Sequence, residues 1–356
     1  MSLTEHRKAI DQLDAQIVRL LNERTRHVLA IGEIKIKQGE EIYAPHRERA
    51  VLQRICKLNG GPITDESLRA IYREIMSSAL SLEKSMTIAC LGPEAGWTHL
   101  AAVGKFGSSL RYAAQQTIAD VFNEVSLGRA EYGVAPVEDS VEGTITHTLD
   151  MFVHSDLKIV AQIALRVRHS LAGQSGPGEI KTLYAQPQAL AQCRRWVERH
   201  LPGVKLVETA TTLEAVNRAR AGRRTAAICN ALAARSRGVP LVARDIQDDP
   251  NQSSRFIVLG RQCGPPTGAD RTSLLLSVEN KVGALDQVLA LFRRCRVNLL
   301  KIESRPNPAS PGEHFIYLDC EGHADDPAVR KAMGRLRDTC RLLKVLGTYP
   351  NTETEG

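Results

Sequence analysis

Several features that would define a function class are missing from this sequence of 356 residues. No run of about 18 apolar residues occurs, so no segment is suited to cross a membrane. The first residues lack the apolar core of a signal peptide. The eight cysteines include no C-x-x-C pair, which argues against a zinc site and against a disulfide framework. We therefore expect a protein of the reducing cytoplasm that carries no metal.

Motifs for larger ligands are missing too. Neither a P-loop nor a GxGxxG turn occurs, so no nucleotide or redox cofactor is expected. The net charge is +7, carried largely by arginine. Without a basic patch interleaved with aromatic residues, and without finger spacing, this charge argues against nucleic acid and favours an anionic small substrate.

The first of three modules, residues 1–84, has helical periodicity throughout. Ile10, Leu13 and Ile17 begin an apolar stripe that continues to about Lys37. The helix would be roughly 50 Å long, and shorter helices are expected over residues 45–58 and 65–84. Because so few residues cannot bury one face of so long a helix, we expect a homodimer or a higher homo-oligomer.

The other two modules alternate strands with helices. Residues 87–262 have short apolar strands between helical segments, which indicates an α/β fold. A linker rich in Gly and Pro follows at 263–269. Residues 271–350 then predict the order βαββαβ, the ferredoxin-like arrangement.

Charged residues interrupt the apolar stripes of the helical module. Arg24 and Lys35 fall on the stripe of the first helix, and Glu83 falls on that of the last. Buried ionisable groups cost several kcal/mol unless they are paired or bind a ligand. Internal salt bridges in a helical dimer are one explanation, and an anion site is the other. Arg7 lies too far along the helix to join this site, but a symmetric partner could supply it.

The helical module resembles the all-helical chorismate mutases in its segments His6–Asp14, Leu20–Arg24, Ile34–Lys35 and Arg47–Arg49. The resemblance implies a pericyclic reaction, in which the enzyme holds a flexible dianion in its reactive shape. It assigns the substrate carboxylates to Arg24 and the partner's Arg7, with Arg47 nearby. It assigns the ether oxygen to Lys35 and a protonated Glu83, and the substrate hydroxyl to Glu48.

The central module resembles prephenate dehydratases in four segments: Gly92–His99, Pro136–Gly143, Tyr184–Cys193 and Ile246–Phe256. The last is a polar, turn-rich segment predicted to lead into a strand at Phe256–Gly260. The resemblance implies two lobes, 87–161 with 240–261 and 162–239, enclosing the site. It makes Ser254 the proton donor to the departing hydroxyl and Arg255 a ligand of a carboxylate. It places Glu138, Asp139, Ser140 and Gly143 at the substrate.

Some positions depart from the family's usual residues. Gly96 lacks a hydroxyl, Asp139 replaces Asn, and Ala185–Gln186 replaces a more usual Ser-His pair. These changes leave two alternatives open, a decarboxylase-like domain or an amino-acid-sensing regulator that has lost catalysis. For Ser254 itself, capping a turn before the strand is the structural alternative.

The C-terminal module resembles the ACT domain of the same enzymes. The resemblance rests on Gly283-Ala284-Leu285 and on Glu303-Ser304-Arg305-Pro306. It implies a phenylalanine site between the helix that Gly283 opens and the strand end of the second motif across a dimer. A purely structural dimerisation domain is the alternative. Together the three modules predict a bifunctional chorismate mutase and prephenate dehydratase, inhibited by phenylalanine.

Overall fold

A computed structural model describes residues 2–39, 42–140, 143–279, 281–307 and 313–351. Its residues fall into two compact units, 1–87 with 105–111, and 88–104 with 112–356. None of the described helices contains an apolar stretch long enough to cross a membrane.

The first unit contains three helices: α1 (Leu3–Gln38), α2 (Pro45–Leu58) and α3 (Asp65–Glu83). A capping box between Ser2 and Glu5 starts α1, and Gly39 ends it in the left-handed conformation at φ 70°. Gly32 is the buried residue of α1, and a Cβ there would lie 2.9 Å from Glu83 Oε2. The helical module predicted from the sequence is thus confirmed, with α1 and α3 in close contact at Gly32.

The predicted α/β character of the second unit is confirmed. Its helices before the C-terminal module are α4 (Trp97–Phe106, whose last two residues belong to the first unit), α5 (Ile118–Ser126), α6 (Thr146–His154), α7 (Pro187–Gln192), α8 (Arg194–His200), α9 (Thr212–Ala221) and α10 (Ala231–Ser236). The strands are β1 (Thr87–Leu91), β2 (Arg111–Gln115), β3 (Tyr132–Asp139), β4 (Gly143–Thr144), β5 (Lys158–Arg166), β6 (Ser170–Gly173), β7 (Thr182–Ala185), β8 (Lys205–Glu208), β9 (Thr225–Cys229), β10 (Leu241–Ala243) and β11 (Ser253–Gly260).

These strands form two sheets, and the sheets correct the predicted lobe boundaries. The second sheet has the order β10-β6-β9-β7-β8, whereas β5 and β11 pair in the first. Residues 241–243 therefore belong with the second sheet, and 162–166 with the first, the reverse of the prediction. The cause is chain direction: β10 pairs antiparallel with β6 before the chain returns to the first sheet as β11.

The C-terminal module has the order β12 (Asp270–Val278), α11 (Ala284–Arg294), β13 (Leu299–Pro306), β14 (His314–Glu321), α12 (Pro327–Thr339) and β15 (Leu342–Pro350). Its strands extend the first sheet, which runs β13-β14-β12-β15-β5-β11-β3-β1-β2. The join is made where Gly347 of β15 pairs with Ile159 of β5. A side chain at Gly347 would collide with the backbone of Ile159, so glycine permits this close approach.

Candidate active sites

Three charged side chains meet between α1 and α3. Burial raises the pKa of the Glu83 carboxyl above its ordinary value, although the nearby positive charges of Lys35 and Arg24 oppose the rise. Arg24 Nη1 is buried without a hydrogen-bond partner. A buried, unsatisfied guanidinium nitrogen is costly, and an anionic ligand would satisfy it. The arrangement therefore suits a dianion better than the alternative of closed internal salt bridges.

Lys35 and Glu48, two of the predicted ligands of the substrate, each have hydrogen-bond partners in the same unit. Lys35 Nζ donates to the carbonyl oxygen of Ile42 at 2.9 Å. Glu48 Oε2 accepts from Tyr43 Oη at 3.0 Å and pairs with Lys105 Nζ at 2.9 Å. Arg7 and Arg47 are exposed in this single chain. Their predicted roles, which for Arg7 need a partner subunit, stay predictions.

The structure corrects the boundary between loop and strand at the predicted proton donor. Strand β11 begins at Ser253, not at Phe256, so Ser254 and Arg255 lie within the sheet. In register, Ser254 faces Asp139 of β3 and Leu165 of β5. Pairing on both sides satisfies the backbone of a segment too polar to predict as a strand. The turn-capping alternative for Ser254 therefore does not fit this backbone.

A cluster of hydroxyls and one carboxylate forms where β3 meets β11. Ser254 Oγ donates to Asp139 Oδ2 at 2.5 Å. Ser253 N donates to Ser140 Oγ at 3.0 Å. Gly143 faces Asp139 across the β3–β4 pair, with φ of 80°. The structure thus brings together four of the predicted site residues, Asp139, Ser140, Gly143 and Ser254.

Two predicted substrate ligands lie elsewhere. Adjacent residues of a strand point to opposite faces, so Glu138 and Arg255 turn away from the hydroxyl cluster. Arg255 Nη2 pairs with Glu138 Oε2 at 2.9 Å, and Arg255 Nη1 lies 3.4 Å from Asp319 Oδ2. Lys301 Nζ also reaches Glu138 Oε2, at 2.9 Å. In this structure their charges pair with each other and with the C-terminal module, and their roles as substrate ligands stay predictions.

The ion pairs of this cluster shift the pKa of Glu138 down and the pKa of Arg255 up. Burial would raise the pKa of Glu138, but the hydrogen bond from Lys301 and the charge of Arg255 outweigh it and lower that pKa. Burial would lower the pKa of Arg255, but the charges of Asp319 and Glu138 help to raise it. Arg271 Nη2 adds a second cation 2.9 Å from Asp319 Oδ2. Both pKa shifts favour the charged forms of Glu138 and Arg255, and the cluster connects β3 and β11 with the C-terminal module.

Of the two predicted effector motifs, one lies at the start of helix α11 and the other lies in strand β13. Gly283 has φ of 80° and precedes α11, in which Ala284 is buried and Leu285 exposed. In β13 the side chains alternate, so Glu303 and Arg305 are half-buried while Ser304 and Pro306 are exposed. Glu303 Oε2 accepts from Thr144 Oγ1 at 2.9 Å, and Arg305 Nη2 pairs with Asp150 Oδ2 at 3.2 Å. Glu303 thus contacts the residue next to Gly143, and Arg305 contacts α6.

Comparison with known proteins finds a family for each of the two regions that contain these sites. The sequence matches the prephenate dehydratase family over residues 88–264 and the type II chorismate mutase family over residues 6–84. It is 42 % identical over 353 residues to a bifunctional chorismate mutase/prephenate dehydratase of Aquifex aeolicus (strain VF5), covering 98 % of each chain. The chain belongs to the bifunctional chorismate mutase/prephenate dehydratase family.

Two solved structures each resemble three quarters of the chain. A prephenate dehydratase of Arthrobacter aurescens in complex with L-Phe is 31 % identical, with a TM-score of 0.68 over 75 % of this chain and 90 % of that one. A protein described as a quorum-quenching acylase is 28 % identical, with a TM-score of 0.69 over 75 % of this chain and 98 % of that one.

The structure adds residues to the dehydratase region of this bifunctional family member that the sequence did not predict. Asn230 is buried and donates from Nδ2 to the carbonyl oxygen of Ala95 at 2.8 Å. The rings of Trp97 and His169 pack edge to face, with their centroids 5.2 Å apart. Burial lowers the pKa of His169, although its hydrogen bond with Gln192 opposes the change. These residues connect the Gly92–His99 segment with the second sheet, and no local pattern marks such long-range contacts.

Two departures from the family pattern have local explanations. Gly96 lies in a tight turn where a Cβ would meet the carbonyl oxygen of Pro93 at 2.9 Å. Ala185 is buried at the end of β7. Gln186 Oε1 accepts from Thr212 Oγ1 at 2.7 Å, and its Nε2 donates to the carbonyl oxygen of Ala210 at 3.0 Å. The oxygen and the nitrogen of the Gln186 carboxamide thus both connect the end of β7 with the start of α9.

Proposed function

We propose that this chain converts chorismate to prephenate in its helical unit and prephenate to phenylpyruvate in its α/β unit. The observation that carries the proposal is the pairing of two sites in one chain: the Arg24–Lys35–Glu83 group and the Ser254–Asp139 pair. The family to which the chain belongs supports both reactions. The test is incubation of purified protein with chorismate, followed by assay of prephenate and phenylpyruvate. Chorismate left unconsumed would refute the proposal.

In the mutase reaction the protein supplies shape and charge. Arg24, with the partner's Arg7 and with Arg47, would hold the two carboxylates so that the reacting carbons approach. Lys35 and protonated Glu83 would donate to the ether oxygen as its bond to carbon breaks and negative charge develops there. Glu48 would accept from the substrate hydroxyl. No proton is transferred in this scheme, so a fixed set of donors suffices.

In the dehydratase reaction, the bond from the ring to a carboxylate breaks and carbon dioxide leaves. Its electron pair enters the ring, the ring becomes aromatic, and the hydroxyl on the opposite carbon departs. Ser254 would donate a proton to that oxygen so that water leaves instead of hydroxide. The Ser254 hydrogen is directed at Asp139. Donation thus requires rotation of the hydroxyl or a proton on Asp139 that replaces the one given up.

A dimer is part of the proposal. The apolar face of α1 is more than half exposed in one chain: Ile10 55 %, Leu13 56 %, Ile17 52 % and Ile31 52 %. A second copy of the helical unit would cover this face and bring its Arg7 to the first copy's site. Sedimentation of the full chain at micromolar concentration tests the dimer, and a monomer with full mutase activity would refute it.

We also propose that the C-terminal module is an ACT domain that binds phenylalanine, with Gly283, Ala284, Leu285, Glu303, Ser304, Arg305 and Pro306 as its site. The similar dehydratase structure in complex with L-Phe supports this. Glu303 already contacts Thr144, the neighbour of Gly143, and Arg305 contacts Asp150 of α6. An effector that draws these two side chains away would release that neighbourhood, which gives its binding a route to the dehydratase site.

Mutase activity should fall as pH rises. The pKa of Glu83 is raised, so its proton persists where a free glutamate has lost it and is lost at higher pH. Since only the protonated form donates, kcat measured from about pH 5 to about pH 9 should decline on the alkaline side. Glu83→Gln should remove the decline, because an amide donates at every pH. A flat profile for the parent would exclude Glu83 as a donor.

Asp150→Asn should increase sensitivity to phenylalanine. The substitution weakens the contact that competes for Arg305, so the effector-bound arrangement costs less to reach. We expect the half-inhibitory concentration for dehydratase activity to fall several-fold, by about 2- to 10-fold for one half-exposed ion pair. The matched control is Asp338→Asn on the exposed face of α12. An unchanged or higher half-inhibitory concentration would contradict the competition.

A further inference from the structure

A segment outside the mutase match belongs to the mutase unit. The mutase family match ends at residue 84, and the dehydratase match covers 88–264. Yet Lys105–Arg111, inside the second match, packs into the first compact unit. We call its first five residues, Lys105–Ser109, the clasp. Specific side-chain and backbone contacts join the clasp to α2 and α3.

The first two clasp residues hold Glu48. Lys105 Nζ lies 2.9 Å from Glu48 Oε2, and the two side chains are 20 % and 13 % exposed. Phe106 is buried against Tyr43, with ring centroids 4.9 Å apart. Tyr43 Oη in turn donates to the same Glu48 oxygen at 3.0 Å. The clasp therefore holds one carboxylate oxygen directly through Lys105 and indirectly through Phe106 and Tyr43.

The remaining clasp residues fix its position on α3. Gly107 has φ of 77°, and a Cβ there would meet the Ser77 side chain. Ser108 donates to Glu74 Oε2 from its backbone nitrogen at 2.9 Å and from its hydroxyl at 2.6 Å. Ser109 N donates to Ser77 Oγ at 3.1 Å. Because a glycine and three hydrogen bonds set the approach, Lys105 arrives at Glu48 in a defined position.

We propose that the clasp completes the mutase site and that Lys105 is the positioning residue that orients Glu48 toward the substrate hydroxyl. The inference rests on the proposed function, in which Glu48 binds that hydroxyl. Lys105 and Tyr43 both bind Oε2 of Glu48, and in this proposal the other oxygen accepts from the substrate hydroxyl.

Lys105→Met in the full chain should raise KM for chorismate and leave kcat nearly unchanged. The hydroxyl that Glu48 contacts gains and loses no bond in the rearrangement, so a loss of Glu48 orientation weakens binding of the ground state and of the transition state alike. We expect about a tenfold rise in KM, the usual effect of one charge-assisted hydrogen bond. Lys105→Arg should restore most of the loss. The matched control, Lys57→Met on the exposed end of α2, should change neither parameter.

A double-mutant cycle separates positioning from general packing. If Lys105 acts through Glu48, Lys105→Met should add little to the KM of Glu48→Gln. Fully additive effects would overturn the proposal, as would a Lys105→Met variant with the KM of the Lys57→Met control. If the parent protein itself fails to consume chorismate, the proposed mutase function fails. If the parent is active and Lys105→Met matches it, the clasp proposal alone fails.

Discussion

Ser254→Ala loses phenylpyruvate formation from prephenate while its mutase activity stays at the parent level. The substitution removes the hydroxyl that meets the departing oxygen, in a strand whose backbone pairing with β3 and β5 needs no side chain. A positioned general acid contributes about 10²- to 10⁴-fold, so we expect a loss in kcat of that size. The measurement is phenylpyruvate release from supplied prephenate, with chorismate consumption by the same sample as the internal control.

Ser254→Thr is the matched variant, because it keeps the hydroxyl and adds one methyl group. It should retain or raise activity. Asp139→Asn tests the partner of that hydroxyl, since an amide cannot transfer a proton to Ser254. If Asp139 returns a proton to Ser254, this variant should lose activity together with pH dependence. If Ser254→Ala has the dehydratase activity of the parent, the proton donor is another residue. The Ile246–Phe256 segment would then identify the fold and not the chemistry.

Lys35→Met should eliminate most mutase activity and spare the dehydratase. Lys35 is the cation assigned to the ether oxygen, where charge develops as the bond breaks. Removing one preorganised donor to such an oxygen costs about 10²- to 10³-fold in kcat. Methionine loses the hydrogen bond to the Ile42 carbonyl, but it is similar in length to lysine and as good a helix former, so α1 should stay in place. The measurement is chorismate consumption at saturating substrate.

Lys37→Met is the control for this second prediction. Lys37 lies in the last turn of the same helix and is exposed. It should leave kcat unchanged. A Lys35→Met variant within about threefold of the parent would contradict the account of charge stabilisation, because so small a change is typical of a surface residue.

The helical module could be predicted closely because its information is local. The apolar period of Ile10, Leu13 and Ile17 predicts a helix to about Lys37, and α1 ends at Gln38. The same period placed Glu83 on a buried face, and burial does raise the pKa of that carboxyl. The charged residues on that face were informative because burial makes them costly without a ligand.

The dehydratase region was harder because its geometry depends on distant partners. Ser253 to Arg255 read as a loop by composition, but pairing with β3 and β5 makes them part of a strand. Once they lie in a strand, alternation sends Ser254 and Arg255 to opposite faces. The partners Asp319 and Lys301 lie far along the chain, so no pattern near Arg255 could reveal the ion cluster. Lys105 escaped prediction for the same reason.

The most direct test of two separate sites in one chain is complementation in a single incubation with chorismate. Lys35→Met alone should form little prephenate and little phenylpyruvate. Ser254→Ala alone should accumulate prephenate. Mixed together, the two variants should produce phenylpyruvate at a rate approaching that of the parent, since prephenate made by one is used by the other. If the mixture forms no phenylpyruvate although the parent does, or if Ser254→Ala alone forms it at the parent rate, the assignment of the two reactions to these two sites is wrong.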